Sequence, residues 1–216
     1  MSRSTGTAER WLPAALIALS TVPAMVGMFR IGQLVIGTDI TPDNARFFDG
    51  AWSAVLHIAS SIVFSLLGAF QFSADLRRTR PRWHRHAGRV LVLVGLVAAV
   101  SGLWITVSYP KFEGGELLYA LRLFFGSAMV VCLVLGLVAI RRRNVAQHRA
   151  WITRGYAIGL GAGTQFVLHV PWLLIFGKPE TLSKALLMGA GWVLNLVVAE
   201  WSLRSRRRPV RSTTTV

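Results

Sequence analysis

Six stretches of this chain, at roughly 11–29, 51–72, 89–109, 117–140, 150–176 and 182–203, are apolar over the length a helix needs to cross a lipid bilayer. A hydrocarbon core of ~30 Å takes about 20 helical residues. A chain that enters it must satisfy its own backbone polar groups, which helices do and open strands do not. The expected fold is therefore all-α, a polytopic membrane bundle of six transmembrane helices occupying residues 11–203. With 216 residues and short connections, no second, soluble domain fits. A mean hydropathy of +0.51 agrees with an integral membrane protein.

Charge placement sets the expected orientation. The net charge is +15, but segments 1–10, 73–89, 141–154 and 202–216 hold 2, 6, 5 and 5 lysines and arginines, which is 18 of the 24. Six of the nine acids, Asp39, Asp43, Asp49, Glu113, Glu116 and Glu180, fall in the alternate connections. This is the positive-inside pattern of a multi-pass cell-membrane protein with both termini cytoplasmic. Residues 1–10 then form a cytoplasmic tail and 204–216 a basic, disordered one. The basic clusters read as contacts to anionic lipid headgroups, and nucleic acid is not an expected partner. Trp11, Trp52, Trp83, Trp151, Trp172 and Trp201 all lie near span ends, where an amphipathic ring prefers the interface. The first run follows Arg3 and Arg10 as a signal peptide would, but it is long and lacks a small-residue cleavage site, so it reads as a retained span. Cys132 is the single cysteine and reads as a small core residue in an apolar run.

Polar residues inside such runs are the candidates for function. The stretch Gln147–Pro171 reads as one helix, with His148 and Arg149 at one membrane face and His169 near the other. Gly155, Gly159 and Gly163 recur every fourth residue along it and would let a neighbouring helix or a flat ligand approach its backbone. His57 heads a strip of small residues in the second span, and Arg122 lies one to two turns inside the fourth. The connection 73–89 carries His84 and His86 among arginines, with Pro81 preventing a continuous helix through it. Asn195 and Glu200 on the last span are each able to hydrogen-bond another helix. A faint internal echo, Gly68 to His84 and Gly136 to His148, outlines two parallel hairpin repeats.

His57 with GAFQF at 68–72, HRHAGR at 84–89, HRAWITRGYA at 148–157 and NLVVAEW at 195–201 together resemble the bacterial multi-pass membrane proteins grouped as domain of unknown function 2306. The resemblance covers roughly 50–201 and implies a helical membrane bundle, with no established activity attached. The family would be expected to carry an arginine near Thr164–Gln165, and this chain has none there.

The most concrete chemistry these residues permit is a haem b held by His57 and His169, two imidazoles at matched depth on different helices, as axial ligation requires. Gly159 and Gly163 would leave room for the ring and Arg122 would offset a propionate. A second site would pair His84 or His86 with His148 at the cytoplasmic face. The plainer alternative for His57 is a buried histidine bonded to a serine or a carbonyl. Two further readings are a small-molecule or lipid transporter, with a cavity among spans two, three and five, and a binding or assembly protein joined to a membrane partner or a second copy through small residues. No Ser/His/Asp arrangement, phosphate-cradling glycine loop or zinc-helix motif occurs, so no catalytic residues and no metal beyond haem iron are expected.

Overall fold

The computed structural model describes residues 4–37, 51–108 and 114–205, with side chains from Trp11 onward. The acidic connection containing Asp39, Asp43 and Asp49, and most of the basic tail, lie outside the described residues. Every described element is helical: α1 (Ser4–Ile36), α2 (Ala51–Ala69) with a 3-10 turn at Phe70–Phe72, α3 (Ala74–Thr79), α4 (Pro81–Ser108), α5 (Gly115–Arg141), α6 (Val145–Gly159), α7 (Gly161–Phe176) and α8 (Thr181–Ser205). Six segments are long and apolar enough to cross a membrane, with α6 and α7 together forming the fifth. The protein is a multi-pass membrane protein. Trp11, Trp52, Trp83 and Trp201 stand exposed near the segment ends, where the interfacial preference of the indole puts them.

The first crossing runs on past residue 29 to Ile36, and two further differences from the sequence expectation have local causes. The third crossing begins at Pro81 instead of residue 89, so His84 and His86 lie on a helix and not in a loop. Proline lacks an N–H, and the first position of a helix needs none; Pro81 therefore closes α3 off and opens α4. The fifth crossing is broken. Its helix stops at Gly159, turns through Leu160 and restarts at Gly161. Glycine is a poor helix former, and three of them at 159, 161 and 163 weaken the helix at that depth.

Consecutive crossings pack antiparallel, as paired contacts show. Gln71 meets Gly88 and His57 meets Gly102 between α2 and α4, while Gly136 meets Ile152 between α5 and α6. The end of α2, the arginines of α3 that follow it and the arginine-bearing ends of α4, α5, α6 and α8 consequently gather at one end of the bundle, called here the basic end. α1 packs against α2 and α7, α2 against α4, α4 against α5, and α8 against α5, α6 and α7. The break lets the fifth crossing serve two neighbourhoods, with α6 lying on α5 and touching α2 while α7 lies on α1 and α8. Between them sits the core of Phe64, Val92, Phe125, Met129, Leu133, Tyr156 and Ile158. Phe125 stacks on Trp192 at 4.8 Å, and Cys132 is buried beside them as a free thiol.

Polar side chains of α8 tie the broken crossing together. Asn195 Nδ2 donates to the Ala157 carbonyl in the last turn of α6 at 3.0 Å, and its Oδ1 accepts from Thr164 Oγ1 in the first turn of α7 at 2.6 Å. Helix ends leave backbone groups without intrahelical partners, and one amide here serves both sides of the gap. Gln165 Nε2 donates to the Met188 carbonyl at 3.0 Å. Towards the basic end, Arg154 makes a two-point ion pair with Glu200, at 2.5 and 3.2 Å, and lies over the Trp151 ring. Asn195 and Glu200 each bond another helix, as their position on the last span led one to expect.

Candidate functional site

The structure places the five histidines in three separate environments. His57 turns towards α4, where its Nδ1 donates to the Ala98 carbonyl at 2.8 Å and its ring lies against Gly102. A carbonyl only accepts, so the ring proton is on Nδ1. This is the plainer of the two readings of His57. His169 lies on α7 and bonds within its own helix, Nδ1 to the Gln165 carbonyl at 2.8 Å. α2 and α7 are not packed neighbours, because α1 lies against both. Each imidazole is bonded to a different partner, and the bis-histidine haem reading finds no support in this geometry. Among the described residues no group of three histidine, cysteine or acidic side chains is arranged to hold a metal ion.

The residues grouped with that reading find other surroundings. Gly155 packs on Leu133 and Cys132, Gly159 on Phe64 and Met129, and Gly163 on the backbone carbonyl of Leu19 in α1. Helix packing takes the strip that a flat ligand would need. Arg122 is exposed on α5, within electrostatic reach of His57. The space among spans two, three and five, where a transport cavity would lie, is filled by Phe64, Val92 and Tyr156.

At the basic end the arrangement is different. The last turn of α2 runs into the 3-10 turn that carries Gln71, whose Oε1 lies 3.3 Å from the position a Cβ would take on Gly88 of α4. His84 is one helical turn earlier on α4, on the same face as Gly88. Gln71 Nε2 and His84 Nδ1 are both buried, and neither has a hydrogen-bond partner among the described residues. Arg77 on α3 and His148 on α6 lie within electrostatic reach of the His84 ring. His148 is held by its own Nδ1, which donates to the Gly136 carbonyl at 2.8 Å and leaves Nε2 as the acceptor of the neutral ring. Tyr156 closes the inner side of this region. It packs on Phe72 at 4.8 Å and over Gly68, and its hydroxyl donates to the Ser65 carbonyl at 2.6 Å.

The structure thus brings His84 near His148 and leaves His86 exposed, turned away by its two-residue offset on a helix. The residue that sequence reasoning passed over is Gln71. Its signal was present, since a lone amide between two phenylalanines at the end of an apolar span needs a polar partner. Asn195 was noticed, but not as the clamp of a break that the sequence reading did not foresee.

A family model described as "Predicted membrane protein (DUF2306)" matches residues 54–203. That range contains Gln71, His84, His148, Arg154, Asn195 and Glu200. No curated protein and no solved structure matches the chain.

Proposed function

Because this chain belongs to the DUF2306 family of predicted membrane proteins, we propose that it is a ligand-binding protein of the cell membrane which holds a polar group at its basic end between Gln71, His84 and His148. One observation carries the reading: two buried polar atoms, on elements that face each other, lack protein partners among the described residues. Leaving a buried donor or acceptor unsatisfied costs about 1–3 kcal/mol, so folded proteins keep such groups where something else satisfies them. Neither atom bonds to a described residue, so apolar replacements there remove no hydrogen bond among the described residues. The Gln71→Leu/His84→Leu double variant is expected to unfold at the wild-type temperature or slightly above it. Native mass spectrometry of the protein in mild detergent should find a small molecule or lipid retained on the wild type and absent from the folded double variant. A species retained equally by both, or none on the wild type, would overturn the proposal.

We further propose that the basic end faces the cytoplasm. The support is the placement of 18 of 24 lysines and arginines in segments 1–10, 73–89, 141–154 and 202–216, which alternate along the sequence with the acidic connections, and the bias of cytoplasmic loops towards such residues. Alkaline phosphatase fused after Gly177 should be active outside the membrane, and the same enzyme fused after Arg143 should be inactive. The reverse pattern refutes this orientation.

A further inference from the structure

The identity of the two unpartnered groups narrows the class of ligand, given the binding site proposed between Gln71, His84 and His148, on which this inference rests. Gln71 Nε2 is an amide nitrogen that carries hydrogens and offers no lone pair, so its partner has to be an acceptor. His84 Nδ1, one helical turn from Gly88, is the second unpartnered atom, and an imidazole nitrogen is able to donate to the same acceptor. The described residues around His84 are rich in positive charge. Arg77 lies within electrostatic reach of His84, and the stretch 73–89 supplies Arg78, Arg80, Arg82, Arg85 and Arg89 besides. Two acids lie at this end among the described side chains. Asp75 is exposed in the first turn of α3, and Glu200 is engaged by Arg154. A cationic guest would meet donors and like charge there; an oxyanion would meet donors and opposite charge, which a neutral acceptor would not gain. The site also lies where an apolar crossing begins beside the exposed Trp83, the level at which lipid phosphates and aqueous solutes both reach a membrane protein.

We infer that the group held between Gln71 and His84 is a phosphate oxyanion, supplied either by the headgroup of an anionic phospholipid or by a free phosphate compound. The acceptor oxygens take the Gln71 amide and the His84 ring N–H, and Arg77 balances the charge. Arg-rich surroundings with short charge-assisted bonds are the usual means of holding such groups.

The test uses the full chain in phosphatidylcholine nanodiscs, with thermal unfolding as the readout. One arm adds inorganic phosphate against sodium chloride of equal ionic strength, and the other replaces part of the lipid with phosphatidylglycerol. The wild type should be stabilised in at least one arm. Gln71→Glu, which keeps the shape but places a carboxylate against the guest, should weaken the response about tenfold or more in concentration terms. His84→Leu should weaken it as well. A response to phosphate alone identifies a soluble phosphate compound, a response to phosphatidylglycerol alone identifies a headgroup, and a response to both marks an oxyanion site open to either. A response equal in wild type and Gln71→Glu, or raised by that substitution, overturns the inference. Failure in both arms while the double variant still loses its co-purifying species overturns the phosphate assignment and leaves the binding site standing.

Discussion

Replacing Gly163 with leucine is expected to detach α1 from the bundle and to cost about 3 kcal/mol or more of stability, the upper end of the range for overpacking a filled interior. The reason lies in what Gly163 touches. A Cβ built there overlaps the backbone carbonyl of Leu19, and a backbone carbonyl, unlike a side-chain tip, cannot rotate away. That carbonyl is itself unusual. In an α-helix it would accept from the N–H four residues on, but that residue is Pro23, which has none. The freed oxygen of α1 is thus turned to a neighbouring helix that can come close because it presents a glycine, and the close approach holds two crossings together. Gly163→Ala should cost less, about 1–2 kcal/mol. Gly32→Leu, on the same helix α1 but with open space where its Cβ would go, should change stability by no more than about 0.5 kcal/mol. Unfolding in mixed micelles of increasing sodium dodecyl sulfate measures all three. Equal midpoints for Gly163→Leu and Gly32→Leu would show that the α1–α7 contact does not have the closeness described.

Asn195→Leu is expected to cost about 1–4 kcal/mol, because it removes two interhelical hydrogen bonds worth roughly 0.6–2 kcal/mol each within a membrane. Leucine is close to asparagine in shape, so packing changes little and the loss reports the bonds. The Ala157 carbonyl and the Thr164 hydroxyl lose their partner on α8 together. Thr164→Ala alone removes one of the two and should cost correspondingly less. Residues in one hydrogen-bond network do not contribute additively. The Thr164→Ala/Asn195→Leu double variant should therefore be destabilised by less than the sum of the single effects, since both remove the same Thr164–Asn195 bond. Additive costs in that cycle would mean that Asn195 does not bridge the break, and that the fifth crossing is held open by glycine alone.

The six crossings were legible because each is a local property of a window of apolar residues, and their observed ends fall within a few residues of expectation for α2, α5 and α8. Pro81 was legible as an interruption but not as the start of α4, since the same residue that ends one helix suits the first position of the next. The glycines of the fifth crossing were read as a strip on one helix, because a four-residue spacing is a helical spacing. Whether such a strip meets a helix or a ligand depends on what lies opposite. Leu133, Phe64 and Leu19 come from three other elements, far away in sequence. The matched depths of His57 and His169 followed from counting residues, but depth does not give the direction in which a side chain points. His57 is turned to α4, and α1 packs against both α2 and α7, so the pairing that depth allowed finds no support.

What the order of residues determined by itself is a bundle of six membrane helices with most of its arginines in alternate connections. Hydrophobic length and charge placement are one-dimensional quantities, and the bilayer reads them one helix at a time. The tertiary structure alone decided which groups share a neighbourhood: Asn195 with both sides of the break, Arg154 with Glu200, and Gln71 with the face of α4 that carries Gly88. Those meetings depend on the rotation of each helix about its axis and on the identity of its neighbours. Both are set by the packing of small and large side chains across several helices at once, which no single window of sequence contains.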